Sequence, residues 1–306
     1  MKRSIPKILL LIIIALSYAE PAYSFFHVQL LYVIDSGFSK TDYLVNPSDI
    51  FFDEVKKELY VTDVGKHRIL VFDSNGRLSA ELKEIEGIKT PISIVVDKKG
   101  MIYLIDAQLS NVTVLDYQGR LIDVFDKDYL FSGESTKPYR LFKSHDDGIY
   151  LMSSNTRLYK IDPDSHKVAP FKLNIDPNKP ELVMVLTATT DSSGNIYFGD
   201  MRPGQVVVFD GSGNYLKRIG EPGGGDRQIS RPTGVAVDKE GRTFVVSTIR
   251  HMVLCYDSDG RFVWEFGGMG TSPGYFYLPT KIVSDGENRL YVLDASLKRV
   301  QVFEVN

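Results

Sequence analysis

The sequence holds a single cysteine, Cys255, in 306 residues, so no disulfide can close within the chain and no cysteine-based metal framework can be built. Stability has to come from packing, and inside the apolar run Met252 to Tyr256 the thiol reads as a small buried apolar group. An excess of one charge is also missing. The chain sets 36 Lys and Arg against 39 Asp and Glu, and a net charge of -3 excludes the basic footprint of a nucleic-acid binder. Beyond the N-terminal segment no apolar run is long enough to span a bilayer. No Gly-x-Ser-x-Gly elbow occurs, and the glycines of Gly220 to Gly225 lack the Lys-Ser/Thr of a phosphate loop. No apolar stripe of helical period separates the strand-like segments, which removes a parallel α/β sheet.

What is present begins with Lys2 and Arg3, continues through the apolar run Ile8 to Leu16 and reaches small residues at Ala19, Ala22 and Ser24. This order is that of a secretory signal peptide, and its apolar part is short for a membrane span. The expected cut follows Ser24, with a cut after Ala19 as the alternative and an uncleaved anchor as the competing reading. No cysteine lies near either cut, so lipid attachment has no nucleophile. Residues 1–24 are thus expected to be removed and 25–306 to form the mature domain. The expected location is periplasmic or secreted, with membrane contact only through the transient signal.

A repeat organises the remainder. Strand-like segments ending in Asp or Ser recur as Leu59 to Asp63, Ile102 to Asp106, Ile149 to Ser153, Ile196 to Asp200, Thr243 to Ser247 and Leu290 to Asp294. Their aromatic markers, Tyr60, Tyr103, Tyr150, Tyr197, Phe244 and Tyr291, are spaced 43 residues once and 47 residues four times. That is the period of a propeller blade. Pro47, Pro91, Pro138, Pro232 and Pro279 keep the same time, and turns such as Asp73-Ser74-Asn75-Gly76 and Asp257-Ser258-Asp259-Gly260 join the later strands. Strands such as Val206 to Phe209 are apolar throughout, as expected where both faces of a sheet are covered. The pattern predicts an all-β, six-bladed propeller of four-stranded antiparallel blades. The last unit lacks an outer strand, and His27 to Ile34 is expected to supply it and close the ring.

The string Pro232-Thr233-Gly234-Val235-Ala236-Val237-Asp238 resembles an NHL repeat, as does Leu59 to Asp63 with Lys66-His67-Arg68-Ile69 and Val71-Phe72-Asp73. Asp294 followed by Lys298-Arg299-Val300-Gln301-Val302-Phe303 is similar. The third and fourth units depart from the pattern at Asn155-Thr156-Arg157 and Arg202-Pro203-Gly204. The resemblance implies a rigid disc that, across such propellers, serves as a protein-binding scaffold, RNA-binding domain, sugar-lactone hydrolase or amidating lyase. Fold alone does not choose among these.

By the same analogy, recognition is expected on the disc face carrying the longer loops, Ser36 to Asn46, Asp126 to Lys137, Phe171 to Leu182, Gly220 to Arg231 and Gly267 to Leu278. These loops offer Tyr43, Tyr129, Phe131, Tyr275, Phe276 and Tyr277, either as blade covers or as a binding face. Lys66, His67, Arg68, Arg157, Arg202, Arg250, His251, Lys298 and Arg299 belong to the same end and would form a broken basic collar, although Asp63 with Arg68 and Asp294 with Arg299 read more simply as turn-fixing pairs. Alignment of the inner strands places Asp49, Ser93, Arg140, Thr187, Gly234 and Lys281 near the channel mouth. A divalent ion needs converging oxygen ligands there, and only one of the six is acidic while two are cationic. His67 and His251 sit on equivalent turns, so no metal site, cofactor or catalytic residue is expected. The predicted function is a non-enzymatic binding or scaffold module, monomeric, with a protein partner and no nucleic acid. A metal-dependent lactonase or lyase and a binder of an anionic glycan are the alternatives.

Overall fold

Segments such as Leu59-Tyr60-Val61 and Val206-Val207-Val208 combine β-branched, aromatic and aliphatic side chains, which suit strands covered on both faces. The computed structural model describes residues 27–37, 39, 41–85, 88–175, 182 and 184–306, and the expected signal peptide lies outside them. Among these residues the strands pair into six four-stranded antiparallel sheets arranged as the blades of a propeller. Blade 1 comprises Pro47–Asp53, Glu58–Asp63, Arg68–Asp73 and Leu78–Lys83. Blade 2 comprises Pro91–Val96, Ile102–Asp106, Asn111–Leu115 and Leu121–Phe125, and blade 3 comprises Pro138–Lys143, Ile149–Ser153, Leu158–Ile161 and Val168–Phe171. Blade 4 runs through Val185–Thr190, Ile196–Asp200, Gln205–Phe209 and Tyr215–Ile219, and blade 5 through Pro232–Val237, Thr243–Ser247, Met252–Tyr256 and Phe262–Gly267. Blade 6 takes Pro279–Ser284, Arg289–Asp294 and Arg299–Val305 from the end of the chain, and its outermost strand is Val28–Ile34, paired antiparallel from Val28 with Val305 to Ile34 with Val300.

Two sets of recurring aspartates hold this frame. Those ending the inner strands cap the next turn: Asp53 accepts from Val55 N, Asp97 from Lys99 N and Met101 N, Asp238 from Glu240 N and Arg242 N, and Asp285 from Glu287 N and Arg289 N. Those ending the second strands are buried and fasten the chain as it enters the blade. Asp63 takes Val45 N and Asn46 N, Asp106 takes Lys89 N and Thr90 N, and Asp294 takes Tyr277 N and Leu278 N. Short side-chain acceptors that satisfy local backbone donors are the physical reason for such positions.

The core lies between blades. Tyr103, Ile105 and Val114 of blade 2 pack with Leu141, Ile149 and Leu151 of blade 3, and the Phe52 ring of blade 1 stacks on Tyr291 of blade 6 with centroids 5.0 Å apart. Each such fully buried side chain contributes about 1.5–3 kcal/mol. Cys255 is buried among Phe244, Phe276 and Val292, and burial pushes its thiol up to about 12, so it is inert packing. Two features were not legible in the repeat: a short helix, Lys127–Phe131, capped by Asp126 through Tyr129 N at 2.8 Å, and a small parallel pair, Glu221–Pro222 with Gln228–Ile229.

Candidate functional site

Every inner strand begins with an irregularity, between Pro47 and Asp49 in blade 1 and at the equivalent residues of the other five. A bulge re-aims the side chain beside it. The six residues so placed are Asp49, Ser93, Arg140, Thr187, Gly234 and Lys281. They were expected near the channel mouth; all except the partly buried Arg140 are buried, and together they form a polar plug at the hub. Asp49 is its centre. Its carboxylate accepts from Ser93 Oγ at 2.9 Å, Ile94 N at 3.2 Å and Ile50 N at 3.0 Å, and pairs with Arg140 Nη1 at 3.3 Å and Lys281 Nζ at 3.2 Å. Burial, then the neighbouring Arg140 charge, pulls Lys281 down to about 8 against the opposing pull of Asp49.

A cavity of about 550 Å³ runs from Lys281 toward the face of the tight turns, not toward the long loops. Its walls include Phe51, Val95, Phe142, Thr189 and Val283, each two residues beyond a plug position, with Lys143, Asp147 and Asp238 near its rim. Period-two alternation along the inner strands carries that signal, which reading a single layer of the channel missed. Lys143 pairs with Asp147 at 3.5 Å and lies 5.5 Å over the Phe51 ring.

The expected basic collar divides into cations drawn into the frame and cations left exposed. Arg68 is buried and spans Asp63 at 3.2 Å, Asp42 at 2.7 Å and Glu81 at 3.0 Å. Arg250 holds Glu265 through two bonds of 2.7 and 2.9 Å. Arg299 donates to the carbonyls of Thr271, Ser272 and Tyr275, so its role is to shape a loop, not to bridge Asp294 within one hairpin. A guanidinium that faces carboxylates or carbonyls inside the frame is a strut. Arg157 pairs with Glu134, while Arg202 and Lys298 are exposed. His67 and His251 occupy left-handed caps of matching 3-10 turns, with His67 Nδ1 against the Lys89 carbonyl and the His251 ring 6.1 Å from Tyr277. Among the described residues no group of three or more His, Cys, Asp and Glu side chains is placed to hold a metal ion.

Loop 267–278 is different in kind. Besides the three carbonyls held by Arg299, Gln301 donates to Tyr275 O and accepts from Gly274 N, both at 2.8 Å, and Asp294 holds Tyr277 N and Leu278 N. Phe276 is wholly buried, whereas its neighbours Tyr275 and Tyr277 remain 49% and 46% exposed and Met269 67% exposed. The backbone is fixed and the side chains are presented.

Solved structures match this fold along nearly its whole length. A Bacteroides thetaiotaomicron protein of unknown function aligns at 16% identity over 92% of this chain and 76% of its own, with a TM-score of 0.66. XC5397, a gluconolactonase from Xanthomonas campestris, aligns at 15% identity over 92% and 90%, with a TM-score of 0.63. Virginiamycin B lyase from Staphylococcus aureus aligns at 11% identity over 91% and 99%, with a TM-score of 0.61. The likeness is one of fold. No family model and no curated protein matches the sequence.

Proposed function

We propose that the protein is an exported, non-catalytic propeller of the NHL kind that binds a protein partner in the cell envelope through loop 267–278 and the adjoining surface. One observation carries this reading: Tyr275 and Tyr277 stand exposed on a loop in which six backbone groups are already tied by Arg299, Gln301 and Asp294. Exposed tyrosines on an ordered loop supply contact area at low entropic cost, because the loop need not be frozen on binding. Tyr43, Val45 and Ile249, on the neighbouring connections, are also exposed and extend the apolar surface. Against a lactonase or lyase reading, the hub sets two cations around its one acid, and that acid is already saturated with donors. Against an anionic-glycan reading, Arg68, Arg250 and Arg299 are consumed inside the frame.

The test is retention of envelope proteins by the immobilised mature chain and by its Tyr275→Ala/Tyr277→Ala variant. A specific partner is expected to be held at least tenfold more weakly by the variant, since each aromatic anchor contributes on the order of 1–2 kcal/mol or more. Undiminished retention by the variant, or stoichiometric metal with turnover of a lactone, contradicts the reading.

A further inference from the structure

The cavity of about 550 Å³ on the tight-turn side of the hub has the size of a pocket for one small molecule, about 300–1,000 Å³. Where the inner strands converge its walls are apolar, at Phe51, Val95, Phe142 and Val283. Lys281 lines its inner end but turns its ammonium to Asp49 at 3.2 Å. Lys143 does the opposite. It ends the inner strand of blade 3, yet its Nζ stands 5.5 Å from the centre of the Phe51 ring of blade 1, so the side chain reaches across the lumen past blade 2. The acid beside it, Asp147, lies 3.5 Å away, beyond the roughly 2.7–2.9 Å of a charge-assisted bond, and the same Oδ1 already accepts from Lys98 N at 2.9 Å. Lys143 is thus a partly buried cation among apolar walls, with donors to spare.

The other charges do not offset it. Asp191 accepts from Ser193 N, Asn195 N and Tyr197 OH, and Asp238 from Glu240 N and the Arg242 guanidinium, so both lining acids are spent on their own turns. Glu54, Asp146, Lys98 and Lys239 are exposed at the rim, two of each sign. We propose that this cavity binds a small aromatic monocarboxylate, its apolar body against Phe51, Phe142 and Val283 and its carboxylate on the Lys143 ammonium. A flat ring suits walls that are themselves aromatic, and a carboxylate replaces a long, shared pair with a charge-assisted bond in a setting that excludes water. The same ammonium repels a cation of equal size. The inference is independent of the tyrosine loop, which lies on the other end of the disc.

The experiment is equilibrium dialysis of the full mature chain, near neutral pH, against three probes of one shape and different charge: 2-naphthoate, 2-naphthamide and 2-naphthylmethylamine. One saturable site for naphthoate is expected, with naphthamide held at least about tenfold more weakly and the amine more weakly still, because a hydrogen bond to a charged group contributes more than one between neutral groups. Lys143→Met is expected to weaken naphthoate at least about tenfold while leaving naphthamide within about twofold, and Lys143→Arg to restore most of the naphthoate affinity. The order of the three probes is read on the parent protein, so it decides the matter should Lys143→Met fail to fold. No saturable site for naphthoate, equal affinity for naphthoate and naphthamide, or naphthoate binding undiminished in Lys143→Met overturns the proposal.

Discussion

Asp49 and Lys281 show how one buried carboxylate can organise a hub. Replacing Asp49 with Asn leaves Arg140 and Lys281 facing each other without their acid, and equilibrium denaturation should show a loss of about 3–5 kcal/mol. Lys281→Met removes a cation held against burial and should cost little near neutral pH. The lysine also predicts a pH signature. Because its folded value is lowered to about 8, the unfolded chain binds the extra proton between about pH 8 and the ordinary lysine value of 10.5. Stability contributed by this group is therefore lowest below about 8 and rises with pH through that window, by about 3 kcal/mol. The unfolding free energy of the parent relative to Lys281→Met should rise by that amount from pH 7.5 to 10.5, and a difference that stays flat contradicts the assignment. Asp42 behaves oppositely: Arg68 and Lys66 hold it at about 2, so the stability it adds is present above the usual carboxylate range and is lost as the pH falls toward 2.

At the scale of elements, the decisive link is between the end of a second strand and the loop entering its blade. Asp294→Ala removes the acceptor of Tyr277 N and Leu278 N, and the cost should be about 2–3 kcal/mol with faster amide exchange confined mainly to 267–278. Exchange that accelerates evenly around the disc would place the role elsewhere. The repeated Asp positions were legible as turn-makers because their spacing followed the strands. The roles of Arg250 and Arg299 were not, since their partners, Glu265 and the carbonyls of 271–275, sit on other elements and obey no short spacing. Part of the expected collar of cations became struts inside the frame for that reason. The tyrosines were found as candidates, but Phe276 between them could be told apart only by its burial.

For the whole molecule, the count of six blades was written in the spacing of Tyr60, Tyr103, Tyr150, Tyr197, Phe244 and Tyr291, because each aromatic is buried in the second strand of its own blade. The direction of the cavity was not, since it depends on side chains from all six blades converging around one axis. The pairing of Val28–Ile34 with Arg299–Val305 makes the chain's two ends one sheet. Deleting residues 28–36 should expose the edge from Val300 to Val305 and abolish cooperative thermal unfolding, with aggregation in its place. A sharp transition within about 2 °C of the parent would show that the sixth blade stands without its outer strand.

The most direct test of a rigid disc that recognises protein through its tyrosine loop is photocrosslinking in envelope extract from single sites on opposite ends, Tyr277 on loop 267–278 and Tyr117 on a tight turn, both exposed. A discrete adduct from position 277 and none from position 117 is the predicted result. Adducts from position 117 alone would contradict it and move recognition to the end where the cavity opens.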